Sequence, residues 1–207
     1  MSSKNKNGNK WMIIGGLLLT AALLLSIYNI NDEKNAKQSV ETVSESLFNE
    51  IEKNKTEEMD SKNSLPDYLL YPEAEMPLIE IDGEQYIGFL EIPALNLSLP
   101  ILGGEWKEQR LKKAPGLYEG SVYLDNMIIA GHNYRSHFSG LKTLEEGTEV
   151  YFIDGNGNIF SYELAWVEVI DEKDVAQMSD QSEGWDLTLF TCTYGGRERY
   201  TLRCVKQ

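Results

Sequence analysis

The sequence predicts an all-β domain, an eight-stranded closed barrel with short helices, carried behind an N-terminal transmembrane helix and a polar stalk. Three observations lead there. The stretch from Trp11 to Ile30 holds no charged residue, residues 31–64 are rich in Glu, Lys, Asn and Ser, and beyond Leu65-Pro66 short apolar or alternating runs are broken by Gly, Pro and Asn at short, regular intervals. With 207 residues, 42% of them apolar, the chain can bury one sizeable core, so one folded domain is expected.

The apolar run comes first. At about 1.5 Å per residue it is long enough to cross a hydrocarbon layer of about 30 Å. Lys4, Lys6 and Lys10 precede it with no acid among them, while Asp32 and Glu33 follow. The positive-inside rule then makes residues 1–10 a cytoplasmic tail and 11–30 a signal anchor, with Trp11 and Tyr28 at the two interfaces and everything after it outside the cell. A cleaved secretory signal fits less well, because the run exceeds a usual signal core and no clear small-x-small site follows it. The formal net charge is −14, and the three leading lysines make the remainder more acidic still, which argues against a nucleic-acid partner.

Residues 31–64 read as an extracellular stalk. Val40, Val43, Leu47 and Ile51 stand at helical spacing, so the stalk is expected to be solvated and to carry one weak amphipathic helix, able at most to lay one apolar stripe on the domain; a partner-binding helix is the alternative.

Residues 65–207 form the folded domain. Strands are expected at 86–91, 98–102, 121–124, 127–131, 148–153, 158–170, 187–192 and 199–205; eight strands in so short a stretch favour a closed barrel over a sandwich. Short helices are expected around Trp106 to Lys112, Phe138 to Leu144 and Lys173 to Met178, where strand alternation is lost. Asp154-Gly-Asn-Gly-Asn158 invites a calcium-loop reading, but the sixth position is Ile159 and no Glu stands at the twelfth, so a hairpin turn explains it better. No cofactor is expected, and calcium modulation is not indicated.

The chain has two cysteines, Cys192 and Cys204, and two histidines, His132 and His137. An extracellular pair of cysteines suggests a disulfide. A hairpin turning at Gly195-Gly196 argues against it: Cys192 falls opposite a residue near Arg199, and Cys204 lies some 16 Å further along, well beyond the roughly 7 Å a disulfide spans. Two free thiols outside a cell need a reason, and nucleophilic catalysis supplies one. It requires a thiolate, a histidine to manage protons and donors for an oxyanion. His132 follows the apolar strand Met127-Ile-Ile-Ala-Gly131, where Gly131 lets the backbone turn, and so stands at a rigid strand end. Cys192 ends the run Leu187-Thr-Leu-Phe-Thr, and the hairpin returns Arg199 beside it. Two cysteines and two histidines so far apart show no zinc-ligand spacing.

These residues carry a resemblance. Ile87-Gly-Phe-Leu-Glu-Ile-Pro93 with Leu99-Pro-Ile, Ile129-Ala-Gly-His132, Phe138-Ser-Gly-Leu-Lys-Thr-Leu144 with Gly147, and Thr188-Leu-Phe-Thr-Cys192 with a downstream arginine resemble the sortase family from Ile87 to Cys204, more than half of the chain. The resemblance implies an eight-stranded sortase-type barrel in a membrane-bound cysteine transpeptidase of Gram-positive bacteria. It implies that Cys192 attacks a Thr–Gly-type bond in the C-terminal, LPXTG-like sorting signal of a secreted protein and forms a thioester. His132 would then protonate the departing amine and deprotonate the incoming one, supplied by a peptidoglycan precursor or another protein, while Arg199 would steady substrate and oxyanion. Ala130, Thr191 and Arg199 would line the substrate site, framed by residues 103–120 and 170–186.

Arg197, Arg199 and Arg203 share a strand face, so alternation leaves the arginine open; proximity to Cys192 favours Arg199. No second apolar segment follows the domain, which disfavours a pilus-polymerising enzyme. Two competing readings are a surface cysteine peptidase (a thiol protease, or hydrolase) using water as acceptor, and a non-catalytic barrel adhesin or assembly factor.

Overall fold

The computed structural model describes residues 6–60, 65–193 and 195–207. Residues 1–5 of the expected tail, residues 61–64 at the end of the expected stalk and residue 194 lie outside the described residues.

Nine strands form one sheet: β1 (Ile79–Ile81), β2 (Glu84–Ile92), β3 (Leu97–Leu102), β4 (Gly116–Glu119), β5 (Met127–Gly131), β6 (Glu149–Asp154), β7 (Ile159–Asp171), β8 (Leu187–Cys192) and β9 (Glu198–Lys206). Their order is β1-β2-β3-β4-β5-β8-β9-β7-β6, and a further pairing of β2 with β6 closes β2 to β9 into an eight-stranded barrel. β1 is a short flap added to the start of β2. Most neighbours are antiparallel; β5 and β8 run parallel through five pairs, from Met127↔Leu187 to Gly131↔Thr191.

Two expectations at strand level are corrected. Residues 121–124 are not a strand: Val122–Leu124 is a 3-10 turn whose start is capped by Ser121, and the barrel strand is Gly116–Glu119 just before it. Ser121 accepts a hydrogen bond from the Tyr123 N–H, a local bond that competes with sheet pairing. β1, three residues long, carries too short a pattern to be read. The expected helices form as single turns, at Glu108–Lys112 and Ser139–Thr143 (3-10) and at Val175–Met178. Asp154 makes the hairpin turn: fully buried, it accepts from the backbone N–H of Asn156 and Asn158, the Asn158 side chain and the Tyr123 hydroxyl.

β5 and β8 sit between two apolar clusters. Met127, Ile129, Leu187 and Leu189 face the barrel core, while Ile128, Ala130 and Phe190 face a second cluster with Leu111, Met178 and Trp185 outside it. Burial on both faces is why β5 reads as an unbroken apolar run and β8 as one broken only by threonines. The segments that cover them outside, around 106–118 and 171–186, also build the walls of the functional cleft described below.

N-terminal to the barrel, one helix, α1, runs unbroken from Lys6 to Asp60. Its apolar portion stands clear of the barrel except at Tyr28, which accepts from Lys112, with Leu19 75% exposed, and among the described residues it is the one helix long and apolar enough to cross a membrane. Its second half behaves differently. Ala36 and Leu47 are fully buried, and Val40, Val43, Leu47 and Ile51 join the main core. At spacings of three and four residues they form one stripe. Near its far end the Asn54 side chain donates to the Gly155 carbonyl at 2.9 Å. The barrel's core therefore takes in residues well before position 65.

Candidate active site

Three elements meet at one end of the barrel. β5 ends at Gly131, paired with Thr191 of β8, so His132 emerges beside the end of β8. β8 ends at Cys192, and β9 returns antiparallel with Arg199 directly opposite Cys192. The return is made by Gly195 and Gly196 at φ 103° and 72°, left-handed values that glycine adopts without a Cβ penalty. Gly131 is required for a different reason from the one expected. Its φ is not positive, and a Cβ there would lie 2.6 Å from the Phe138 ring, so the missing side chain makes room for that ring.

His132, Cys192 and Arg199 line one open cleft of about 200 Å³. Ala130 and Phe190 form its floor, with Trp106 and Tyr118 on one wall and Glu172 and Val175 on the other. Thr191 points elsewhere. It lines a smaller cleft of about 100 Å³ on the other side of Cys192, with Asn133, Phe138 and Tyr200, and its buried hydroxyl has no partner among the described residues. Cys192 borders both clefts.

The three arginines separate by their bonds. Arg199 donates from Nη1 to the carbonyls of Gly196 at 2.8 Å and Glu198 at 3.3 Å, which tethers the guanidinium to the turn. Among the described residues its other N–H groups have no partner, and the group lines the cleft. Arg203 is 1% exposed. It donates to Glu168 at 2.6 Å, Thr188 at 2.7 Å and the carbonyls of Met178 and Gln177 at 2.8 Å, and its guanidinium lies over the Trp185 ring. It fastens the short helix of one cleft wall to the barrel. Arg197 is exposed at the turn.

The cysteines differ as sharply. Both are free; Cys192 is half-buried, whereas Cys204 is fully buried opposite Leu187 at the far end of β8, and burial pushes its thiol up to about 12. A thiol held protonated is a poor nucleophile.

Burial holds the pKa of His132 below its ordinary value. Glu108 and Asp32 oppose that shift and Lys112 adds to it. His137 is buried, and burial, with the nearby His132 charge, lowers it to about 4 against the opposing pull of the Lys113 backbone, which lies too far or too poorly aligned for a well-formed hydrogen bond. Among the described residues no group of three or more acidic, histidine or cysteine side chains is arranged to hold a metal ion.

Sequence reasoning missed one neighbour of this site. Asp32, on α1, accepts from the Tyr134 hydroxyl at 2.6 Å, and the Tyr134 ring packs 4.9 Å from the His132 ring. The two partners are 102 residues apart, and no pattern in the sequence links them.

The sortase domain family model matches residues 90–207, which include all three cleft residues. The chain belongs to the sortase family. Sortases are transpeptidases of cell-wall sorting. The chain is 30% identical to sortase A of Bacillus anthracis, over 77% of this chain and 74% of that protein. It is 27% identical to sortase A of Staphylococcus aureus, over 89% and 87%. The fold is also that of a solved sortase C from Streptococcus pneumoniae, at a TM-score of 0.54 and 22% identity, covering 82% of this chain and 96% of that one. Another, sortase C from Clostridium perfringens, superposes at 0.50 with 25% identity over 88% and 97%. Resemblances to sortases of different types leave the class of this sortase open.

Proposed function

We propose that this sortase cleaves the C-terminal sorting signal of secreted proteins and joins them to an amine of the cell wall or of another protein. The observation that carries the reading is the register pairing Cys192 with Arg199 while His132 emerges from the adjoining strand into the same cleft. The Cys192 thiolate adds to the carbonyl carbon of a Thr–Gly-type bond, and the oxyanion takes N–H donors from Arg199. As the C–N bond breaks, His132 gives its proton to the leaving nitrogen and a thioester remains. The incoming amine then attacks the thioester, loses its proton to His132 and expels the Cys192 thiolate, which restores the starting charges. Ala130 and Phe190 give the acyl chain an apolar floor. A solved Clostridium perfringens sortase C carries a C-terminal cell wall sorting motif, which supports a peptide of this kind in the cleft.

α1 provides the membrane attachment through residues 11–30, with the N-terminus in the cytoplasm and the barrel outside.

The test is a sorting-signal peptide library presented to the full chain with and without added amine, followed by intact mass. A thioester adduct on Cys192 and an amine-dependent joined product are expected. Cleavage that persists in Cys192→Ala overturns the assignment, and product that ignores added amine replaces the transpeptidase with a peptidase.

A further inference from the structure

α1 contacts the catalytic loop immediately after the apolar run ends. Asp32 is the first acid past that run. One of its carboxylate oxygens accepts from the Tyr134 hydroxyl at 2.6 Å and the other from Lys112 Nζ at 3.3 Å. Glu33, the next residue, accepts from the backbone N–H of Arg135 at 3.1 Å. Two consecutive side chains of the helix thus hold two consecutive residues of the loop that begins at His132. Lys112 adds a contact to Tyr28, one turn earlier on α1.

The loop's backbone is held from within, the Phe138 N–H donating to the His132 carbonyl at 3.1 Å and the His137 and Ser139 N–H groups to the Tyr134 carbonyl at 3.0 and 3.1 Å, but none of these bonds reaches the imidazole. Among the described residues no hydrogen bond is made by the His132 ring, so no carboxylate orients it as an acid does in a serine-protease triad. Its ring packs against Tyr134 at 4.9 Å and a 40° tilt, and Tyr134 is in turn 5.3 Å from buried His137. The orientation of the Tyr134 ring therefore sets the wall against which His132 rests, and the bond that fixes Tyr134 ends on Asp32. The Tyr134 hydroxyl, and with it Lys112, hold the Asp32 carboxyl below its ordinary pKa despite partial burial.

We propose that Asp32, acting through Tyr134, is the positioning residue for His132, so that the juxtamembrane helix is a working part of the catalytic site. The proposal rests on the assignment of His132 as the proton-transfer group. Losing the tether loosens the imidazole without emptying the cleft, which costs rate in the chemical step and leaves peptide binding in place.

The test uses the full chain in detergent micelles. Asp32→Ala and Tyr134→Phe are each expected to lower kcat on the order of tenfold with KM within about twofold of wild type, and the double variant is expected to be no slower than either alone. Asp32→Asn keeps an acceptor for the Tyr134 hydroxyl and is expected to restore most of the rate. A second readout needs no turnover. With two histidines in the chain, the His132 ring-proton resonances are assignable, and their displacement by the Tyr134 ring current is expected to shrink in Asp32→Ala and return in Asp32→Asn. Wild-type rate and unchanged His132 resonances in Asp32→Ala overturn the proposal. So does a loss shared by kcat and KM that Asp32→Asn does not relieve, since that marks a packing role alone. If the wild type cleaves no sorting peptide yet the His132 resonances respond to Asp32→Ala, the proposed function fails and the positioning stands.

Discussion

Arg199 lies directly across the β8–β9 ladder from Cys192, while Arg203, on the same strand face, lies across from Thr188 and is sealed beneath the cleft wall. One strand thus carries two guanidiniums with opposite situations. Arg199 keeps N–H groups turned to an open cleft, and Arg203 spends its donors inside the protein.

The two arginines are therefore expected to fail in different ways. Arg199→Met should lower kcat/KM by about two to three orders of magnitude, the usual cost of losing one oxyanion donor, with little change in melting temperature. Arg203→Met strands Glu168, Thr188 and two carbonyls in or near the interior, and should cost about 3–5 kcal/mol of stability. Thermal unfolding measured beside peptide turnover separates them. Equal destabilisation by both changes would refute the division of roles.

Cys192 should be the one thiol that reacts quickly with iodoacetamide in the folded protein. Cys204 has no exposed surface, and its raised pKa keeps it protonated at neutral pH. Mass spectrometry after brief labelling should find one adduct, lost in Cys192→Ala and kept in Cys204→Ala. Peptide turnover should follow the same division, surviving Cys204→Ala and ending with Cys192→Ala. Rapid labelling of Cys204 would sink the prediction.

Local pattern reached the strands because β5 and β8 are short, mostly apolar runs bounded by turns and β9 alternates polar and apolar residues behind a glycine turn, and strand register then placed Arg199 opposite Cys192 without any tertiary knowledge. It could not reach what depends on contact at long range. Val40 to Ile51 shows helical spacing in the sequence, but whether that stripe stays solvated or enters a core depends on the shape of a barrel surface formed by residues after 79. Gly131 looked like a turn glycine because a histidine follows it; the ring of Phe138, seven residues on, is what excludes a Cβ. Thr191 shares its strand with Cys192, yet the pleat turns it into the smaller cleft. Asp32 is one acid among many in a charged stretch until the loop at 132–137 folds against it.

Gly131→Ala tests the close approach at the catalytic loop. The added methyl meets the Phe138 ring, which is fully buried. Overpacking of this kind costs about 1–3 kcal/mol and shifts the backbone that carries His132. Turnover should fall by more than the loss of folded protein explains. A variant with wild-type melting temperature and rate would show that the ring moves aside freely.

His137 should give the protein an acid-sensitive stability. Its ordinary pKa is 6.5, and burial, then the neighbouring His132 charge, lowers it to about 4 in the folded state. The unfolded chain takes up this proton near pH 6.5 and the folded protein does not until about pH 4. The stabilisation is therefore complete above pH 6.5, declines as pH falls from 6.5 toward 4, and is constant below. A shift of this size corresponds to about 3 kcal/mol. Glu84 and Asp32, whose carboxyls are held below 4.5 and 3.8 by their hydrogen-bond and charge partners, withdraw their own stabilisation only at lower pH, so the upper part of the window is left to histidine. His137→Phe preserves an aromatic ring in the buried site and removes its titration. Melting temperatures from pH 7 to pH 4.5 should fall steeply in the wild type and much less in the variant, the remaining slope belonging to His132, whose pKa burial also depresses. Parallel curves for the two proteins would show that His137 takes up its proton in the folded state as readily as in the unfolded chain.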